Sequence, residues 1–222
     1  MSKFLSLKLW FALSTVALLA ACAQQPVKHA DYTAFKNARP RSILILPPDN
    51  TTTDVQASNS MMSQMTMPLA EAGYYVVPVA VMEETFKQNG LTTAGDIQQT
   101  SPAKLREIFG ADAVLYSKIT QYGTSYRVLD SVTVVSASAK LVDLKSGDVL
   151  WQGSATANSN EGNNSGGGGL IGMLVVAAIK QISNSLTDKS HHIAGVTSYR
   201  LLQAGPPRGL LYGPRSPKYG TD

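Results

Sequence analysis

The chain has a single cysteine, Cys22, among 222 residues, and this limits the fold before any periodicity is read. One thiol cannot close an intrachain disulfide, nor supply the several thiolates of a structural zinc site. The folded part must be held by an apolar core and a hydrogen-bonded backbone. Hydrophobic residues make up 44% of the sequence, which is enough to build such a core.

The position of that cysteine is as informative as its isolation. Lys3 and Lys8 make a basic start, and Leu9 to Leu19 is apolar apart from Ser14 and Thr15. This is the layout of a secretory leader. The run is shorter than the roughly 20 apolar residues a membrane span requires. Its ending, Leu19-Ala20-Ala21-Cys22, resembles a bacterial lipobox, in which the cysteine sulfur takes a diacylglycerol before cleavage between Ala21 and Cys22. Only a thiolate is nucleophilic enough among these side chains for that transfer. The alternative is an ordinary leader with a chance cysteine. Ala23, rather than an aspartate, follows the cysteine, which in the lipoprotein class favours the outer membrane. The expected partner is therefore a membrane, reached through the N-terminal lipid.

Without residues 1–21, about 200 residues remain, room for one substantial domain. Loss of Lys3 and Lys8 leaves 17 Lys and Arg against 15 Asp and Glu, too even a balance to point to nucleic acid. Residues 22–40 are polar and read as a tether. Residues 41–203 carry the periodic segments of an α/β domain, and residues 204–222 form a Pro/Gly-rich tail expected to pack weakly.

Within the domain, "RSILILPP" reads as a buried strand stopped by prolines, and "DNTTTD" as a self-capping loop. Met61, Met65, Leu69 and Ala72 recur at helical spacing from Ser60 to Gly73, with Pro68 as a kink. The methionines there fit a plastic core face or an adaptable binding surface. "YYVVPVAV" reads as a strand ending near Pro78, and "AVMEETFKQNG" as a helix with Met82 and Phe86 inward. In "SPAKLREIFG", Ser101 caps a helix, Pro102 occupies its first turn and Gly110 stops it. "ADAVLYSKITQYG" opens a strand-rich stretch. Val135, Ala137, Ala139 and Leu141 alternate with Ser136, Ser138 and Lys140 as in a half-buried strand. A turn at Lys145-Ser146-Gly147 leads to a return strand. Helices interleaved with strands and followed by a meander predict a layered α/β sandwich on a mixed sheet.

Chemistry is sparse. "GTSYR" lacks the last glycine of a nucleophile elbow. His29 lies in the tether, and His191-His192 are sequence neighbours that diverge on a helix, which reads as a solvated surface pair rather than a metal site. Asp143 and Asp148 flank a turn, where aspartates bond locally. "SGGGGLIG" could offer backbone N–H groups to an anion but lacks the Lys-Ser/Thr of a phosphate loop, so a linker is the plainer reading. No catalytic residue, metal or cofactor is expected.

Residues 170–179 form an apolar helix on all sides, about half a membrane span in length. Three readings stand: a core helix, a subunit interface, or a segment entering lipid. Leu170, Ile171, Leu174, Val175 and Ala178 are the candidate self-association residues.

Long blocks also resemble a known family. "AEAGYYVVPVAVMEETFKQNGL" from Ala70, "DAVLYSKITQYGTSYRVLDSVTVVSASAKLVD" from Asp112, "LWQGSA" from Leu150, "NSLTD" from Asn184 and "GPR" from Gly213 are similar to bacterial lipoproteins of unknown function, typified by a genome-derived surface antigen of Neisseria. That resemblance implies a single domain like the N-terminal domain of TolB and like CsgG, with homodimers, and carries no catalytic residues. The function expected is a non-enzymatic outer-membrane lipoprotein, its domain in the periplasm or at the cell surface, serving as an assembly or interaction module. The runner-up is a component of a CsgG-like secretion complex, working with other envelope lipoproteins. An envelope hydrolase is third.

Overall fold

The computed structural model describes residues 30–126, 131–161 and 189–222. The leader, Ala21, Cys22, His29, the glycine loop and the apolar helix of residues 170–179, with all five candidate self-association residues, lie outside the described residues.

Local signals account for most elements. Helix α1 spans Thr33–Ala38, strand β1 Ser42–Ile45, β2 Asp49–Asn50, helix α2 Ala57–Glu71 and β3 Tyr75–Val76. Helices α3 (Val79–Gln88), α4 (Ala94–Gln98) and α5 (Pro102–Phe109) follow, then β4 (Ala113–Tyr126), β5 (Ser131–Asp143), β6 (Val149–Asn158) and α6 (Lys189–Leu202). The α5 punctuation is as expected: the Ser101 side chain accepts from Lys104 N, Pro102 opens the helix, and Gly110 closes it at φ 63°, a conformation that costs glycine little. Helix α2 starts three residues earlier than its periodicity predicts, because Asp54 Oδ1 accepts from Gln56 N at 2.8 Å and its carbonyl from Ala57 N at 3.3 Å. Its Met61, Met62 and Met65 are buried, so these methionines belong to the core, while Met67 is 63% exposed. The strand expected over "YYVVPVAV" is only two residues long, since Pro78 turns the chain directly into α3.

The sheet runs β3-β1-β4-β5-β6, with β2 also beside β4. Strands β1, β2 and β3 join it through parallel pairs, and β4-β5-β6 is an antiparallel meander. This is the mixed sheet of a layered α/β domain. Register sorts the side chains by face. Leu115 opposes Leu141, which opposes Trp151; Ser117, Ala139 and Gly153 form the next row. Helices α2 and α6 pack together over this face. Thr197 Oγ1 donates to Val135 O at 3.2 Å and to Ile193 O at 2.9 Å. On the opposite face Val114 and Val142 are buried, and α4 abuts β2. Farther along it Tyr116, Lys140 and Gln152 form one row, and Lys118, Ser138 and Ser154 the next.

Residues Asp31–Asp222 form one unit, which revises two boundaries. The tether expected to reach residue 40 contains α1, whose Phe35 is 3% exposed. The tail from residue 204 does not pack weakly. Leu210 is fully buried, Gly213 N donates to Ala72 O at 2.8 Å, and Tyr74 Oη donates to Leu211 O at 2.5 Å. Average polarity concealed a few apolar side chains that supply the burial in both segments.

Candidate functional site

Among the described residues, two places hold the polar groups that carry chemistry. The first lies where α2 meets α6. His191 is half-buried while His192 is exposed; neighbours on a helix diverge, and only His191 turns toward α2. Its Nδ1 is 2.8 Å from Ser60 Oγ and its Nε2 is 2.7 Å from Gln64 Nε2. Tyr122 Oη donates to Ser60 Oγ at 2.7 Å. The solvated pair expected from sequence is thus corrected for His191, which ties α6 to α2 and β4. Ser60 sits within α2 rather than on the strained turn of an exposed nucleophile, so the network braces two helices.

Asp143 Oδ2 accepts from Ser146 N at 2.7 Å, and Asp148 N donates to Ser146 Oγ at 3.2 Å. These bonds hold the β5–β6 turn. Among the described residues, no group of three or more His, Cys, Asp or Glu is placed to hold a metal, and no helix is long and apolar enough to cross a membrane.

The second place is a groove of about 860 Å³ at β6, extending from the two rows that contain Lys140 and Lys118 to the loop around Pro207. Register explains how one strand contributes to both sides. Gln152 and Ser154 point to the polar face, whereas Trp151 and Gly153 alternate to the other. The indole lies across Gly153, and its Nε1 donates to Arg208 O at 2.9 Å. Tyr32 Oη donates to Gly209 O at 2.5 Å, so α1 steadies the same loop. Gly209 is required there: a Cβ on it would meet Gly205 O at 2.5 Å.

The groove's charge is predominantly positive, with Lys118, Lys140, Arg200 and Arg208 against Asp49. Lys118 Nζ pairs with Asp49 at 3.3 Å, and Arg200 with Glu161 at 2.5 Å. Lys140 Nζ sits 5.1 Å over the Tyr116 ring, and burial raises the Tyr116 pKa. Sequence reading did not find this groove. The available signal was "WQG", an aromatic two residues before a glycine on one strand face, followed far downstream by "GPPRG". Nothing local joins the two.

A smaller cavity of about 340 Å³ lies between α1 and the C-terminal segment, lined by Phe35, Arg39, Tyr74 and Tyr219. The tyrosine hydroxyl of Tyr74 is held protonated well above its usual range, by burial first and then by the charge of Asp222.

Comparison with known proteins follows the same domain. The family model described as "Putative lipoprotein GNA1162-like" matches residues 30–215. A protein named "Putative lipoprotein NMB1124/NMB1162", from Neisseria meningitidis serogroup B, is 51% identical over 203 residues, covering 91% of this chain and 94% of that protein. The crystal structure of lipoprotein GNA1162 from Neisseria meningitidis aligns with a TM-score of 0.54 at 56% identity, covering 66% of this chain and 100% of that one.

Proposed function

The chain belongs to the GNA1162-like lipoprotein family, and from that premise we propose that it is anchored through Cys22 in the outer membrane, where its α/β domain serves as a non-enzymatic assembly or interaction module. The observation that carries the anchor is the Leu19-Ala20-Ala21-Cys22 box in a member of a lipoprotein family. Residues 1–21 are the leader removed before the lipidated Cys22 becomes the first mature residue, and the domain faces the periplasm or the cell surface as a homo-oligomer. Two features favour interaction over catalysis. The hydroxyl–imidazole pair of Ser60 and His191 is used in helix packing, and the groove at β6 has neither histidine nor cysteine in its lining among the described residues.

Metabolic labelling with a tagged fatty acid tests the anchor: the parent takes label, and Cys22→Ser remains an unlabelled precursor. Equal labelling of both overturns it. Crosslinking in intact envelopes followed by purification tests the module, which predicts a discrete protein partner bound through the domain.

A further inference from the structure

We propose that the outer edge of β6 at Gln152–Ser154 is a docking site for an acidic polypeptide segment in extended form, which adds to the sheet as a further strand. This rests on the reading of the domain as an interaction module and names the chemistry of its partner.

Strand β6 is the last in the sheet order, so one of its sides pairs with β5 and the other pairs with no strand among the described residues. Backbone groups of alternate residues in a strand point to the same edge. Two bonds identify the outer set: Thr156 O accepts from Arg200 Nη1 at 2.8 Å, and Asn158 N donates to Glu161 Oε1 at 3.1 Å. The N–H and C=O of Gln152 and Ser154 therefore point outward as well. Around Thr156 and Asn158 the edge is closed by side chains, and the Arg200–Glu161 ion pair fixes that closure. At Gln152 and Ser154, both exposed, the edge opens into the groove. An open edge presents unpaired donors and acceptors that template another strand.

One residue of the groove wall has an unpartnered acceptor. Gln203 Oε1 is buried and accepts no hydrogen bond among the described residues, a costly state for a polar atom.

Charge decides the kind of strand. Lys118 and Arg200 have carboxylate partners, whereas Lys140 and Arg208 have none among the described residues. Lys140 stands directly across from Gln152 on the polar face, one strand in from the edge with its Nζ over the Tyr116 ring of β4, so it adds positive charge to that face without touching the edge. Acidic residues on an added strand would meet Arg208, which lines the groove, with the charge of Lys140 one strand farther in. A second copy of β6 would instead bring the same cations against each other. Strand addition draws affinity from main-chain bonds and selectivity from alternate side chains, which is the combination this edge offers.

The test uses the full chain in mild detergent and fluorescein-labelled peptides read by anisotropy. The probes are a peptide of alternating valine and glutamate, its valine–lysine counterpart, and the acidic peptide N-methylated at alternate residues, made in both frames. The acidic peptide should bind saturably. The lysine peptide and one N-methylated frame should each bind at least about tenfold more weakly, and Arg208→Glu should weaken the acidic peptide by a similar factor. Ser154→Pro should do the same, because proline removes an outward N–H that takes no part in the β5 ladder; the methylated probes require no change in the protein. No saturable binding, or equal binding of the parent and both methylated frames, overturns the proposal. So does self-association that Ser154→Pro abolishes while the acidic peptide fails to bind, which would assign the edge to a second copy. If the peptides fail while envelope crosslinking still captures a partner through the domain, the edge assignment falls and the interaction module stands.

Discussion

The indole of Trp151 lies so close over Gly153, two residues along the same strand, that a Cβ on Gly153 would sit 2.5 Å from Cζ2 of the ring. The ring is buried and anchored through Nε1 to Arg208 O. It cannot yield without releasing the loop.

Gly153→Ala should therefore lower stability by about 1–3 kcal/mol, the usual cost of overpacking. Thermal unfolding followed by circular dichroism measures the loss, and indole fluorescence should move toward the red as Trp151 gains solvent. An unchanged melting temperature and spectrum would mean the ring has room to move.

Gly73 crosses the C-terminal segment at φ 97°, and a Cβ there would lie 2.4 Å from Ser216 N. Both the left-handed backbone and the backbone contact oppose any side chain. Gly73→Ala should detach the C-terminal segment, exposing residues 211–222 to limited proteolysis while the sheet persists. Native-state hydrogen exchange should show the amides of Gly213 and Arg215, which bond to Ala72 O and Gly73 O, losing protection first.

Tyr74 gives a pH prediction with a definite sign. Burial raises its pKa in the folded domain, and Asp222 and Tyr219 add to the rise. An unfolded tyrosine titrates near pH 10 (about that value). The stability from this group is whole below about pH 10 and is lost as pH rises above it, because the unfolded chain gives up the proton first. Tyr32, Tyr116 and Tyr199 shift in the same direction. Tyr74→Phe should cost about 1–2 kcal/mol at neutral pH by orphaning Leu211 O, and its alkaline decline should be shallower than the parent's. Urea titrations at pH values on both sides of 10 (about one unit either way) check both parts.

The apolar helix read at residues 170–179 gives the fourth prediction. An all-round apolar helix has a face left over after packing on one sheet, and a second subunit can cover it. Leu174→Asp and Val175→Asp place a charge where water is excluded, at a cost of roughly several kcal/mol if it stays ionised and unpaired. Interface positions should give folded, dissociated protein in sedimentation; core positions should give loss of circular dichroism. Two variants as folded and associated as the parent would show that neither residue is buried.

Sequence reading succeeded where the determinant was local. Ser101, Pro102 and Gly110 fix α5 within their own segment, and alternation along Val135–Leu141 fixes the faces of β5. It missed α4, although Thr93 caps Asp96 N three residues on, because the helix is too short to show a period. Other features depended on residues remote in the chain. His191 finds Ser60 at a separation of 131 residues, and Trp151 finds Arg208 at 57. Phe35 and Leu210 looked like isolated apolar residues in polar segments until the fold gave both a place in one core. The β6 groove was illegible for the same reason: its strand was foreseen, but its other walls come from five separate parts of the chain, from Asp49 to the segment ending at Gly209.

The meeting of α1 with the final residues has a topological consequence. Lys36 Nζ donates to Asp222 O at 2.9 Å, and Tyr32 Oη to Gly209 O at 2.5 Å. Residues 31–222 are thus nearly a closed ring of chain, with α1 beside Asp222. A short linker from Asp222 to Asp31 could complete the circle without crossing the sheet, and new ends could then be opened at the β5–β6 turn. The same closure governs how the domain bears force. Tension applied between residue 31 and Asp222 would first separate these two fastenings, one bond at a time, and reach the sheet only after the ring had opened.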